Sequence, residues 1–184
     1  MRGGWARGAA VLGVLGLAAC GGGGTRTSDG PQAPCPRIAL LADGADMTRF
    51  RPGGAGELTA MVVDARISGF DATCDWAGRS GRDVTVRLTP RFEAERGPAA
   101  DGRTLDLPWF VALTDAGDTT LLAREAFSTR LTFPPNVPRA TATGQAARVT
   151  VPVAEGRRAG EYTLRVSLQL TPEELAFNRR RGPR

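Results

Sequence analysis

The side chains in this sequence that could do chemistry are mainly its carboxylates and its three cysteines, because the chain contains no histidine and no lysine. Histidine is the usual general base and the commonest metal ligand near neutral pH. Its absence excludes Ser-His-Asp and Cys-His catalysis and the ordinary zinc sites. The sequence also lacks a Gly-x-Ser-x-Gly nucleophile motif. We therefore predict that the protein is not an enzyme and binds no cofactor.

Five aspartates in the first half of the chain are candidate calcium ligands, because carboxylate oxygens are the ligands that Ca²⁺ takes. None follows the spacing of a calcium loop, with its central glycine and terminal glutamate. We interpret them as solvated acids of loops and turns and predict no metal site. A glycosidase pair would need a carboxyl separation that sequence cannot show. The five are Asp43, Asp46, Asp64, Asp71 and Asp75.

Cys20 ends an apolar run that follows two basic residues, Arg2 and Arg7. The run has the length of a signal-peptide hydrophobic region and is shorter than the roughly 20 apolar residues that span a bilayer. Its last four residues, Leu17-Ala18-Ala19-Cys20, resemble the lipobox of bacterial lipoproteins. The resemblance implies that residues 1–19 are cleaved and that Cys20 carries a diacylglyceryl group. An ordinary secretory signal, with an incidental thiol at Cys20, is the alternative.

The segment after Cys20 contains four consecutive glycines and then almost no apolar side chains up to Pro34. Such a segment cannot bury enough apolar surface to offset the entropy lost on ordering. We predict that residues 20–34 are a flexible tether with a reach of about 20 Å. The glycines do not form a phosphate-binding loop, because no Gly-Lys-Ser/Thr follows them. By the same resemblance, Gly21 rather than Asp after the lipidated cysteine implies the outer membrane, facing the periplasm.

Cys35 and Cys74 remain once Cys20 is assigned to the lipid. In an oxidising periplasm, two such cysteines favour a structural disulfide. Free buried thiols and a redox pair are the alternatives, although a redox pair usually has Cys-x-x-Cys spacing. The charge pattern argues against nucleic acid, because much of the net charge of +5 comes from arginines near the two chain ends. The C-terminal arginines either contact anionic lipid headgroups or are simply solvated.

Along the chain after the tether, apolar and polar residues alternate with a period of two, which is typical of half-buried strands. The clearest alternation covers Asp83–Glu95, where Pro90 predicts an edge or a bulge. Residues 58–67 and 70–76 form strands around a break at Ser68-Gly69, whereas residues 43–56 are predicted as a loop. Further strands are predicted at 37–41, 108–114, 119–133, 147–153 and 161–170.

These patterns predict an all-β fold, an antiparallel sandwich of about seven to nine strands, with a small closed barrel as the alternative. The size and rhythm resemble immunoglobulin-like or fibronectin-like domains at the level of architecture. Thr171-Pro172-Glu173-Glu174 predicts the start of a short helix, whose Leu175, Ala176 and Phe177 would pack on the sandwich. The predicted organisation is a signal peptide at 1–19, a tether at 20–34, a sandwich at 35–171, and a helix with an Arg-rich tail at 172–184.

Three functions remain open at this stage. The favoured one is a lipid-anchored structural or interaction module of the envelope, which contacts another envelope protein through its loops. The second is a binding protein for a small or lipidic ligand in a cavity between the sheets, lined by Trp109 and Phe110. Core packing is the alternative role of these aromatic residues. An enzyme that uses scattered carboxylates is the least favoured.

Overall fold

The structure is a computed structural model, and it describes residues 33–78 and 81–182. Residues 1–19, Cys20 and most of the predicted tether lie outside this part of the chain. In chain order, the described strands are β1 (Arg37–Leu40), β2 (Asp46–Phe50), β3 (Met61–Ala77), β4 (Asp83–Arg96), β5 (Thr104–Thr114), β6 (Leu121–Thr132), β7 (Arg139–Thr143), β8 (Ala147–Val151) and β9 (Thr163–Leu168). The helix α1 (Pro172–Arg181) follows β9.

The nine strands form two separate sheets, which confirms the all-β sandwich rather than a closed barrel. One sheet has four strands in the order β1-β9-β5-β6, and its β1–β9 pair is parallel. The other sheet has five strands, with β2, β3 and β4 in order and with β7 and β8 pairing successive parts of β4. The core side chains of both sheets form one buried apolar cluster, in which Phe92 and Trp109 lie 5.9 Å apart between ring centroids.

The predicted alternation of β4 is confirmed, because Val84, Val86, Leu88, Phe92 and Ala94 are all buried. The break at Ser68-Gly69 is a bulge within one continuous strand, since the register of β3 against β4 shifts between Ile67 and Gly69. The edge predicted from Pro90 is wrong, because β4 is a central strand. Pro90 falls between Leu88, the last residue paired with β8, and Arg91, the first paired with β7. The sheet therefore tolerates the missing N–H of proline at a gap between two partner strands.

The predicted loop over residues 43–56 is wrong, because it contains strand β2, which pairs with β3. Asp46, Met47 and Thr48 of this strand are buried. A polar strand can be buried only if its polar groups find partners. Helix α1 supplies them: Asn178 Nδ2 donates to the backbone oxygen of Asp46 at 2.8 Å, and Arg181 pairs with the Asp46 carboxylate at 2.5 Å.

Helix α1 begins as predicted, with Thr171 as the N-cap and Pro172 in the first turn. Glu174 N donates to Thr171 Oγ1 at 3.2 Å, and Thr171 N donates to the Glu174 carboxylate at 2.9 Å. The buried face of the helix differs from the prediction, because it is polar: Glu174 and Asn178 are buried, whereas Ala176 is exposed. Phe177 does pack as expected, with its ring 5.0 Å from that of Phe50.

Candidate functional site

The disulfide predicted between Cys35 and Cys74 is present, with 5.4 Å between the two Cα atoms. It joins the segment just before β1 to the C-terminal part of β3. Because β1 and β3 belong to different sheets, the disulfide links the two sheets. In the register of the four-stranded sheet, Arg37 lies opposite Thr163, which lies opposite Thr114. In the five-stranded sheet, Trp76 lies opposite Val84, which lies opposite Val151. We call this end of the sandwich the disulfide end.

A pocket of about 560 Å³ opens at the disulfide end. Its walls come from Pro34, Trp76, Arg82 and the segment 153–160. Trp76 lies two residues beyond the buried Cys74 on the same side of β3, but the residue is 42% exposed because it lies near the end of the strand. An exposed indole beside three arginines, Arg82, Arg157 and Arg158, makes this pocket the candidate functional site.

The segment that carries two of these arginines is held in place by the domain itself. Tyr162 is buried, and its hydroxyl accepts a hydrogen bond from Ala154 N at 3.0 Å. Glu161 accepts from the Arg157 guanidinium at 3.0 Å and from the backbone N–H of Arg158 at 3.1 Å. These two bonds hold the pKa of Glu161 below its ordinary value. Short bonds within the segment thus fix its backbone and the side chain of Arg157 at the rim of the pocket.

The arginines of the pocket differ in how far acids neutralise them. Arg157 has a close partner in Glu161, whereas Arg158 lies 4.0 Å from that carboxylate and its side chain is 91% exposed. Arg82 reaches Glu155 only at 4.0 Å, and the Glu155 side chain is 88% exposed. Exposed pairs at this distance are weak and screened by salt. Arg82 and Arg158 therefore keep most of their capacity to bind an anion from outside the domain.

Three of the acids at the disulfide end are occupied within the protein. Asp83 accepts from Val153 N at 3.2 Å. Asp115 accepts from the backbone N–H groups of Thr119 and Thr120, which lowers its pKa to about 2. Asp118 accepts from the Thr114 hydroxyl and pairs with Arg165, and both contacts lower its pKa. These carboxylates are thus committed to the turns and strands that they stabilise.

The aspartates considered as calcium ligands are dispersed rather than gathered. Asp43 pairs with Arg179 at 2.9 Å, Asp46 pairs with Arg181, and Asp71 pairs with Arg91. Asp64 accepts a hydrogen bond from the Thr48 hydroxyl at 3.2 Å. Within residues 33–78 and 81–182, no group of three or more acidic, cysteine or histidine side chains is placed to hold a metal ion. Four of the five acids therefore act in the described fold as partners of arginines and of a hydroxyl, and the fifth, Asp75, is exposed on β3.

The structure places Trp109 and Phe110, the residues considered for an inter-sheet ligand site, in different surroundings. They are neighbours on β5, so their side chains point to opposite faces of the sheet. Trp109 is fully buried, stacks on Phe127 at 4.5 Å between centroids and donates from Nε1 to Thr129 Oγ1 at 3.0 Å. Phe110 lies on the outer face under the guanidinium of Arg124, 4.3 Å from the ring centroid. Trp109 is a core residue whose polar atom is satisfied.

Sequence reasoning identified the disulfide, but it missed the arginines of the pocket. Arg82 and Arg157–Arg158 are more than 70 residues apart in sequence, and only the pairing of β4 with β8 brings them together. The signal that could have found them is the Gly- and Arg-rich turn that follows β8, opposite the hairpin after Trp76.

No family model, curated protein or solved structure matches this chain. None of the helices in the part of the chain that the structure describes is long and apolar enough to cross a membrane.

Proposed function

We propose that this protein is a lipid-anchored lipoprotein of the bacterial envelope, held through Cys20, and that its β-sandwich is a structural or protein-interaction module. The observation that carries the proposal is the order of two features in the chain. A lipobox-like sequence ends at Cys20, and a disulfide-linked domain begins at Cys35. Disulfides persist mainly in oxidising compartments such as the periplasm, which is where a lipoprotein domain of this kind would fold.

An interaction module fits the described domain better than an inter-sheet binding protein. Trp109 fills the space between the sheets that a ligand would need, so the alternative gets no support from its main residue. The surface, in contrast, has an exposed pocket with an aromatic ring and cations at the disulfide end. The location that the proposal favours is the outer membrane, with the domain in the periplasm.

Mass spectrometry of the N-terminal peptide from the native, membrane-extracted protein tests the proposal. We expect a peptide that begins at Cys20 and carries the mass of a diacylglyceryl group, and a Cys20→Ala variant that keeps its leader and loses the lipid. An unmodified Cys20 in protein recovered from the aqueous fraction would contradict the anchor.

Crosslinking in intact cells, followed by identification of the linked proteins, tests the interaction role. We expect a specific envelope protein that the Cys20→Ala variant no longer captures.

A further inference from the structure

We infer that the disulfide end of the sandwich binds the anionic headgroup surface of a phospholipid bilayer, with Trp76 and the pocket arginines as the contacts. The inference depends on the proposed function in one respect, which is that the lipid anchor places the domain next to a membrane. It names a partner for the pocket described above and assigns a role to residues that the anchor itself does not explain.

The position of the chain's entry into the domain is the first argument. Pro34, which lines the pocket, precedes the disulfide-bonded Cys35 by one residue. Only 13 residues separate it from Cys20. A Gly-rich segment of that length has a root-mean-square reach of about 20 Å. An acylated Cys20 would therefore keep the pocket close to the bilayer, and the disulfide holds this entry point against the strand that carries Trp76.

The chemistry of the pocket is the second argument. Phosphate groups of lipids are recognised by arginine guanidinium groups, which donate several hydrogen bonds in a fixed planar geometry. Arg82 and Arg158 have only distant acid partners, at 4.0 Å each. A tryptophan indole favours the membrane–water interface, because it has an apolar body and a polar N–H. Trp76 and these arginines share one pocket of about 560 Å³, a volume that accommodates a headgroup.

The charges around the pocket favour an anion there. Glu161 is bonded to Arg157 and to a backbone N–H, and Asp83, Asp115 and Asp118 accept bonds from the domain's own donors. Glu155 is the acid on the rim itself, and it is almost fully exposed. With three arginines and one glutamate on its lining, the pocket has a positive balance.

The test uses the chain from residue 20 with Cys20→Ser, so that no acyl group contributes to binding. All described core contacts lie within residues 33–182 and remain in this chain. Its tryptophans are Trp76 and Trp109, and Trp109 is buried, so a change in emission on binding reports on Trp76. The probes are vesicles of phosphatidylcholine with phosphatidylglycerol, vesicles of phosphatidylcholine alone, and inorganic phosphate.

We expect co-sedimentation and a blue shift of Trp76 emission with the phosphatidylglycerol vesicles alone, and loss of that shift in Trp76→Phe. A variant with Arg82→Gln, Arg157→Gln and Arg158→Gln should bind on the order of 100-fold more weakly, at about fivefold per arginine. The matched control removes the same charge at the opposite end, with Arg66→Gln, Arg130→Gln and Arg139→Gln. It should bind nearly as well as the parent chain.

Equal losses in the two triple variants would overturn the inference, because they would show attraction by net charge alone. A blue shift with inorganic phosphate in the absence of vesicles would also overturn it, in favour of a site for a free anion. Absence of binding to anionic vesicles would overturn it while leaving the anchor intact. The anchor fails separately, if Cys20 of the native protein carries no lipid.

Discussion

Arg87 and Arg148 lie directly opposite each other on the exposed faces of β4 and β8. Two other opposed pairs on the same sheet face carry opposite charges: Arg66 faces Glu93, and Glu95 faces Arg139. Like charges at directly opposed positions destabilise a sheet, whereas opposite charges stabilise it. The arginine pair is thus a place where the residue-level charge pattern works against the fold.

We predict that Arg148→Glu increases the free energy of unfolding by about 0.2–1 kcal/mol, because a cross-strand ion pair replaces a repulsion. Urea unfolding at low salt measures the change. Arg148→Gln is the matched control, since it removes the repulsion without adding an attraction, and it should show a smaller increase. The advantage of Glu over Gln should decrease at high salt. Equal stabilities for the two variants would contradict the ion pair.

Asp115 supplies a second prediction at this scale, because the backbone N–H groups of Thr119 and Thr120 lower its pKa to about 2 in the folded protein, from 3.8. A carboxylate with a lowered folded pKa stabilises the fold fully above its unfolded pKa. That contribution is lost as the pH falls through the folded value. Asp115→Asn should therefore be less stable than the parent near neutral pH, and the difference should shrink between about pH 4 and about pH 2.

Urea midpoints measured across this pH range test the prediction. Glu57→Gln is the control, because Glu57 is exposed and its side chain makes no capping hydrogen bond. This variant should show no comparable change in its stability difference over the same range. A difference for Asp115→Asn that stays constant from neutral pH to pH 2 would contradict the role of the ionised carboxylate.

At the scale of elements, α1 holds β2 through polar rather than apolar contacts. Asn178 Nδ2 donates to the backbone oxygens of Asp43 and Asp46 at 2.9 and 2.8 Å. Glu174, besides its place in the capping box, accepts from Arg49 Nε at 2.7 Å. These side chains satisfy backbone and charged groups that would otherwise be buried alone. The helix is therefore part of the domain rather than an appended tail.

We predict that Asn178→Ala lowers the free energy of unfolding by about 1–3 kcal/mol, because it leaves two carbonyl groups of the buried contact without their donor. Hydrogen exchange of the β2 amides should be faster in this variant than in the parent. The two measurements together show whether the lost stability comes from the contact between α1 and β2. Arg180→Ala is the control, because Arg180 is exposed on the same helix. It should change stability by less than about 0.5 kcal/mol. Slow β2 exchange in Asn178→Ala would contradict the role of α1 as a clamp.

The strands that were predicted well from the sequence are those whose apolar and polar residues alternate without help from distant parts of the chain. Strand β4 reads apolar and polar in turn, and the bulge at Gly69 follows from a residue that tolerates a φ of 158°. Strand β2 was missed because its buried positions include Asp46 and Thr48, and their partners come from a helix more than 120 residues later. The sequence pattern also did not predict that Thr163 and Ser167, on the polar face of β9, are buried. Their burial depends on distant parts of the chain, because β1 and β5 pair with β9 on either side and Ser167 contacts Gly44.

The candidate site was harder to predict from sequence than the fold. Cys35 and Cys74 could be paired by counting, because their number left few choices. The pocket depends on which strands become neighbours, and local patterns do not contain that information. The role of Trp109 was ambiguous because β5 is apolar on both faces, and only the burial of the indole and its bond to Thr129 identify it as core.

At the scale of the whole molecule, the two ends of the sandwich differ in how closely their arginines are paired with acids. The Arg-rich segment after β9 was considered as a contact for anionic lipid, but Arg179 and Arg181 pair with Asp43 and Asp46. Those aspartates follow β1, whereas the disulfide precedes it. Arg179 and Arg181 are thus paired with acids of the domain at the end away from the disulfide, whereas Arg180 of the same helix is exposed.

The disulfide is the contact that unites these features, because it ties the entry of the chain to the sheet that does not contain β1. We predict that the double variant Cys35→Ala and Cys74→Ala has a free energy of unfolding lower by about 3–4 kcal/mol, since the bond closes a long loop in the unfolded chain. Urea unfolding of the oxidised parent and of the variant measures the loss. Adding a reductant to the parent should reproduce it, and the same reductant should leave the double variant unchanged.

The same double variant separates stability from membrane contact. In native-like conditions its β-sheet circular dichroism should persist, because Cys74 contributes only a small part of the buried cluster. Its entry segment would no longer be fixed beside Trp76, so vesicle binding of the Cys20→Ser chain should weaken even where the domain remains folded. If the double variant binds anionic vesicles as tightly as the parent, then the disulfide acts on stability alone and does not organise the membrane-facing end.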